Sequence, residues 1–263
     1  MDRNQLSIGF FDSGIGGISV LREAVALMPN ENYIYIGDSM NAPYGTKTPE
    51  EVRNLSFNVI DKLISLGVKA VVVACNTATS AAIDDLREKY EEQLPIIGIE
   101  PALKPAVENY GEGVVVIMAT PMTLSENKFS KLRERYSETA EIIPMPCDGL
   151  VEIIESGVTS GPLVEDYLHN KFKELDKSRV SAVVLGCTHY PFIKDSLVKV
   201  INEDVAVIDG SLGTVRQLKR MLEQRDLLNK SDKKGKVTIL NSKEERLIKL
   251  SYDLLQGETD IHK

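Results

Sequence analysis

The sequence predicts an α/β fold made of two doubly wound domains with mostly parallel sheets, related to each other by pseudo-symmetry. Short runs rich in Val and Ile recur along the 263 residues with helical patterns between them. That alternation is the mark of a parallel sheet covered by helices on both faces. Val68, Ala70, Val71, Val72 and Cys75 reappear, all at one common displacement, as Val180, Ala182, Val183, Val184 and Cys187, so the chain reads as a duplication. At roughly 150 residues per domain, the length accommodates one large domain or two small ones.

The strand runs, in order, are Leu6 to Phe11, Tyr33 to Ile36, Val68 to Ala74, Ile96 to Ile99, Val114 to Met118, Ile142 to Met145, Val180 to Leu185 and Val205 to Ile208. Among the helices, one start is sharply marked by Thr48, Pro49 and Glu51. These supply a capping hydroxyl, a proline where a missing N–H costs nothing, and the reciprocal carboxylate. That helix should run to Leu66 and stop at Gly67. Asn229 to Gly235, with Lys230, Lys233 and Lys234, reads as a solvated loop before a strand from Lys236 to Leu240 and a helix from Lys243 to Leu255. The duplicated halves each open alike: one strand leads to Asp12, Ser13 and Gly14, the other to Ala119, Thr120 and Pro121.

Composition narrows the function. With 43% hydrophobic and 27% charged residues the chain is an ordinary globular protein. Its longest apolar runs fall well short of the roughly 18 residues a membrane-spanning helix needs, so no membrane association is expected. The polar stretch from Met1 to Ser7 leads straight into a strand and does not read as a signal peptide, so a cytoplasmic protein is expected. A net charge of -8 disfavours nucleic acid or an anionic membrane as partner. Three cysteines, an odd number, argue for reduced thiols.

Ligands of open α/β sheets bind beyond the carboxyl ends of the strands, and Cys75 and Cys187 both fall there. Two facing halves would put one thiol on each side of a shared cleft. Opposed thiols suit inversion of a stereocentre: a thiolate removes a proton from one face and a thiol returns one to the other. Asp12 and His189 are candidates to manage those protons. Cys147 has no counterpart in the repeat and reads as packing. Gly14, Gly16 and Ser19 do not complete a dinucleotide fingerprint. Cys187 and His189 with Cys75 lack the close ligand pairs usual for zinc, so no metal is expected. His169 and His262 read as surface residues.

Four blocks, taken together, carry a resemblance over nearly the whole chain. They are Phe11, Asp12, Ser13, Gly14, Gly16 and Gly17; Asp38, Pro43, Tyr44 and Gly45; Ala74 to Ala78; and Gly186, Cys187, Thr188, His189, Tyr190 and Pro191. In these the sequence resembles the glutamate racemases, within the wider aspartate/glutamate racemase group. The resemblance implies an active site in a cleft between a first domain of residues 1–97 plus 210–263 and an inserted second domain of 98–209. It implies cofactor-independent racemisation of L-glutamate to D-glutamate, without pyridoxal phosphate, for peptidoglycan synthesis, cell-wall biogenesis and cell shape. Cys75 and Cys187 would be the acid–base pair, assisted by Asp12, His189 and Glu155. Asp12, Ser13, Pro43, Tyr44, Gly45, Asn76, Thr77, Thr120, Thr123, Thr188 and His189 would hold the substrate's ammonium and two carboxylates. The partner would be the small molecule glutamate, and the resemblance leaves room for a homodimer. Racemisation of aspartate or another amino acid, and non-catalytic binding of an acidic metabolite, remain open alternatives.

Overall fold

The computed structural model describes residues 3–99, 102–125, 127–136 and 138–257, so the expectation for His262 lies outside the described residues. The chain divides near residues 100 and 210 into two compact units, the second inserted in the first.

The first unit opens with β1 (Ile8–Asp12), α1 (Ile18–Leu27), β2 (Tyr33–Gly37), α2 (Pro49–Ser65), β3 (Ala70–Val73), α3 (Asn76–Tyr90) and β4 (Ile96–Gly98). The inserted unit contains α4 (Leu103–Tyr110), β5 (Val114–Ala119), α5 (Pro121–Ser125), α6 (Asn127–Tyr136), β6 (Glu141–Pro146), α7 (Leu150–Glu155), α8 (Pro162–Phe172), β7 (Val180–Leu185), α9 (Lys194–Ile201) and β8 (Ala206–Asp209). The first unit then resumes with α10 (Ser211–Gln224), β9 (Val237–Asn241) and α11 (Glu245–Gln256).

The expected α/β class with two parallel sheets is observed. The first sheet has the strand order β4-β3-β1-β2-β9 and the second β6-β5-β7-β8, with every pairing parallel. Read from its other edge, the second sheet repeats the first four positions of the first, and β9 is the addition. The repeat extends to single hydrogen bonds just past the strands. Ala74 N–H donates to the Phe11 carbonyl and Gly186 N–H to that of Met118, each at 2.7 Å. Asp38 N–H donates to the Asp12 carbonyl at 2.9 Å, and Cys147 N–H to that of Ala119 at 3.0 Å.

Burial explains why these segments are strands. β1, β3 and β5 are buried along their whole length, as parallel strands covered on both faces must be. The edge strand β6 carries Pro144 and Pro146, which an edge tolerates because one row of its N–H groups has no partner strand. α2 begins with the expected capping box: Glu51 N–H donates to Thr48 Oγ1 at 3.3 Å, and Thr48 N–H to Glu51 Oε2 at 2.8 Å. It ends at Ser65, with Leu66 as cap and Gly67 in the left-handed region at φ +77°. β1 begins two residues later than expected because Arg3–Gln5 form a short 3-10 turn that returns the Leu6 N–H to the Arg3 carbonyl. The loop from Asn229 to Gly235 exposes its lysines, yet its backbone is anchored, with Gly235 N–H on the Pro29 carbonyl at 2.9 Å.

Two polar devices finish the first unit. Just before β2 and β3, Lys69 Nζ lies 2.5 Å from Glu31 Oε2, both side chains almost wholly buried. The second Glu31 oxygen accepts the Asn229 N–H at 2.7 Å. At the outer edge of β9 the Tyr252 hydroxyl accepts the Ile239 N–H at 3.2 Å and donates to the Val237 carbonyl at 3.4 Å. Among the described residues, no helix is long and apolar enough to cross a membrane.

Candidate active site

Each unit gathers polar side chains at the carboxyl ends of its strands. In the first, Cys75 follows β3 and caps α3, its sulfur accepting the Ala78 N–H at 3.5 Å. A helix N-terminus favours the thiolate form of such a cysteine. The Cys75 thiol lies 3.5 Å from Ser13 Oγ. Ser13 Oγ donates in turn to Asp12 Oδ1 at 3.2 Å, which also receives the Gly14 N–H at 2.9 Å. Asp12 is fully buried at the end of β1. Gly17 makes room for it: a Cβ there would stand 2.9 Å from the Cβ atoms of both Asp12 and Ala74.

Asn76 and Thr77 form the first turn of α3 and are both buried. Asn76 Oδ1 is a buried acceptor that no described donor reaches. Such a group costs stability unless something else supplies a donor. Tyr44 and Gly45 lie in a short 3-10 turn after Pro43, and the Tyr44 ring is buried against Phe11. The Tyr44 hydroxyl donates to Asp38 Oδ2 at 2.7 Å. Burial, then the Asp38 carboxylate, push its pKa far above the ordinary phenol value, so it remains a donor. Sequence reasoning gave Asp38 no site role. It is nevertheless the hub of this loop, also accepting from Asn41 Nδ2 and from Ser242 Oγ at 3.0 Å. The available signal was an acidic residue at the carboxyl end of a central strand.

In the second unit Cys187 follows β7, with its sulfur 3.7 Å from His189 Nδ1. His189 Nε2 lies 3.0 Å from Oε1 of Glu155, the last residue of α7. Thiol, imidazole and carboxylate thus stand in line. Burial alone would pull the His189 pKa down, but the Cys187 sulfur and the Glu155 carboxylate together outweigh it and raise the value well above 6.5. Thr188 is buried between Cys187 and His189 in sequence. Thr120 caps α5, accepting the Thr123 N–H at 3.3 Å, and the two hydroxyls are 3.0 Å apart.

Cys147 is a contrast. It follows β6, its thiol donates to the Met145 carbonyl at 3.4 Å, and burial pushes its pKa up to about 12. His169 is exposed on α8.

Each unit therefore sets a buried thiol among hydrogen-bonded polar side chains at the carboxyl ends of its strands. The profile of the Asp/Glu/Hydantoin racemase family matches residues 17–218. The chain belongs to this family. Similar members include a glutamate racemase of Clostridium botulinum, 58% identical over 98% of this chain and 100% of its own length. One from Clostridium acetobutylicum is 59% identical over 94% of this chain and 96% of its own. Among solved structures, the Francisella tularensis glutamate racemase in complex with D-glutamate has a TM-score of 0.82 at 30% identity, covering 96% of this chain and 94% of that one. The Escherichia coli glutamate racemase in complex with L-glutamate and the activator UDP-MurNAc-Ala also has a TM-score of 0.82, at 27% identity, covering 96% and 95%.

Proposed function

We propose that this family member interconverts L- and D-glutamate, with the thiols of Cys75 and Cys187 as its two acid–base groups. The observation that carries the reading is that the two thiols occupy equivalent positions in two sheets that share the order of four strands. The choice of glutamate is supported by relatives of that name covering nearly the whole chain.

In one direction a thiolate takes the α-proton of glutamate and leaves its electron pair on the α-carbon. The thiol of the other cysteine gives a proton to the opposite face, which inverts the centre and leaves the second sulfur as thiolate. The reverse reaction exchanges the roles. Asp12, through Ser13, serves the Cys75 side, and His189, held by Glu155, serves the Cys187 side. Asn76 Oδ1 is suited to accept from the substrate ammonium. The hydroxyls of Ser13, Thr77, Thr120, Thr123 and Thr188, with the loop of Pro43, Tyr44 and Gly45, would hold its carboxylates. Since each proton has a thiol to carry it, the reaction needs no pyridoxal phosphate, metal or nucleotide.

We further propose that the D-glutamate goes to peptidoglycan, made in the cytoplasm where thiols stay reduced. The activator of the Escherichia coli relative, a nucleotide-linked muramyl sugar, supports that link.

The test is chiral chromatography of glutamate and aspartate incubated with the purified protein and with Cys75→Ala and Cys187→Ala. Glutamate should racemise faster, and each variant should lose net racemisation while still exchanging in heavy water the α-hydrogen of one enantiomer, the opposite one in the two variants, as NMR would report. Near-parental racemisation by either variant would overturn the two-thiol mechanism.

A further inference from the structure

Three consecutive carbonyls where β6 gives way to α7 are each held by a side chain. Lys171 Nζ donates to the Pro146 carbonyl at 2.6 Å, and the Tyr167 hydroxyl to that of Asp148 at 2.9 Å. The carbonyl of Cys147 between them receives the Tyr190 hydroxyl at 3.4 Å. Side chains four residues apart on a helix are about 6 Å apart along it, so one helix face can reach two carbonyls of a neighbouring segment. Tyr167 and Lys171 have that helical spacing on α8, and the Lys171 ammonium lies 5.6 Å from the centre of the Tyr167 ring. The held segment leads through Gly149, left-handed at φ +81°, directly into α7. The last residue of α7 is Glu155, the carboxylate on His189.

We infer that Tyr167 and Lys171 are positioning residues that fix the entry of α7, so that Glu155 meets His189 behind the Cys187 thiol. The inference rests on the function proposed above. Tyr190 reinforces it from the other side, because it follows His189 and grips the same segment. Burial keeps the Tyr167 hydroxyl protonated and therefore able to donate.

The test is a double-mutant cycle with glutamate as substrate, using Tyr167→Phe, Lys171→Met and Glu155→Gln. Loss of one hydrogen bond that orients the carboxylate should lower kcat about 3- to 10-fold with KM nearly unchanged. Because the clamp acts through Glu155, adding Tyr167→Phe or Lys171→Met to Glu155→Gln should cost little more than Glu155→Gln alone. Lys171→Arg, which still donates, should recover most of the activity that Lys171→Met loses. Parental kcat in both Tyr167→Phe and Lys171→Met would overturn the inference. So would losses that multiply in full with that of Glu155→Gln, as a merely structural role predicts. Parental activity in Glu155→Gln would be a different failure, removing the carboxylate from the chemistry and the clamp's route of action with it.

Discussion

Cys75, Cys147 and Cys187 are all buried, and they differ in what stands beside the sulfur. Cys75 has a helix N-terminus and Ser13, Cys187 has His189, and Cys147 has the Met145 carbonyl, with Tyr167 and Lys171 nearby. With its pKa pushed up to about 12, Cys147 should stay unlabelled when the native protein meets iodoacetamide near neutral pH, as peptide mass mapping would report. Cys147→Ala should racemise glutamate within about twofold of the parent. The folded-state pKa of His189 lies above its unfolded value near 6.5. Its stabilisation is therefore complete below that value and is lost as pH rises through the raised one. Thermal unfolding should show the parent exceeding Glu155→Gln most at and below neutral pH, with the gap closing in alkali. A gap that widened with pH would contradict the assignment.

At the scale of elements, Gly17 sets how closely α1 approaches β1 and the residue after β3. Its φ of -62° suits any L-residue, so Gly17→Ala isolates the close approach from backbone strain. The added Cβ would press on Asp12 and Ala74. Displacing Asp12 by a fraction of an ångström should lower kcat about ten- to a hundredfold while the protein remains folded, readable by steady-state kinetics beside circular dichroism. What the sequence made legible was whatever a local pattern encodes. The Val- and Ile-rich runs became strands, and Thr48, Pro49 and Glu51 became a capping box. Cys75 and Cys187 stood out because polar residues follow an apolar run. Partners distant in sequence left no such mark. Ser242 meets Asp38 across 204 positions, and Tyr252 covers an edge that its own neighbours do not reveal. Strand starts were misjudged where short turns intervene, as at Arg3–Gln5 before β1 and at Val205, whose N–H turns back to the Asn202 carbonyl before β8.

At the scale of the whole chain, the buried Lys69–Glu31 pair bears on stability. Its geometry is good and Glu31 also holds the Asn229 N–H, so removing one partner strands the other charge in the interior. Lys69→Met should cost about 3–5 kcal/mol in urea unfolding, and Lys69→Met with Glu31→Leu should recover a large part of it. A single variant as stable as the parent would show that the pair contributes nothing.

The placement of β9 carries a consequence for how the protein is made. β9 lies beside β2, with Val237 opposite Tyr33, and brings Ser242 to Asp38. A ribosome therefore finishes the whole inserted unit, with Cys187, before it supplies the last strand of the unit that holds Cys75. Since domains fold as units during synthesis, the later-numbered half can mature first while the earlier-numbered half waits, its β2 edge uncovered and the Asp38 hub one hydroxyl short.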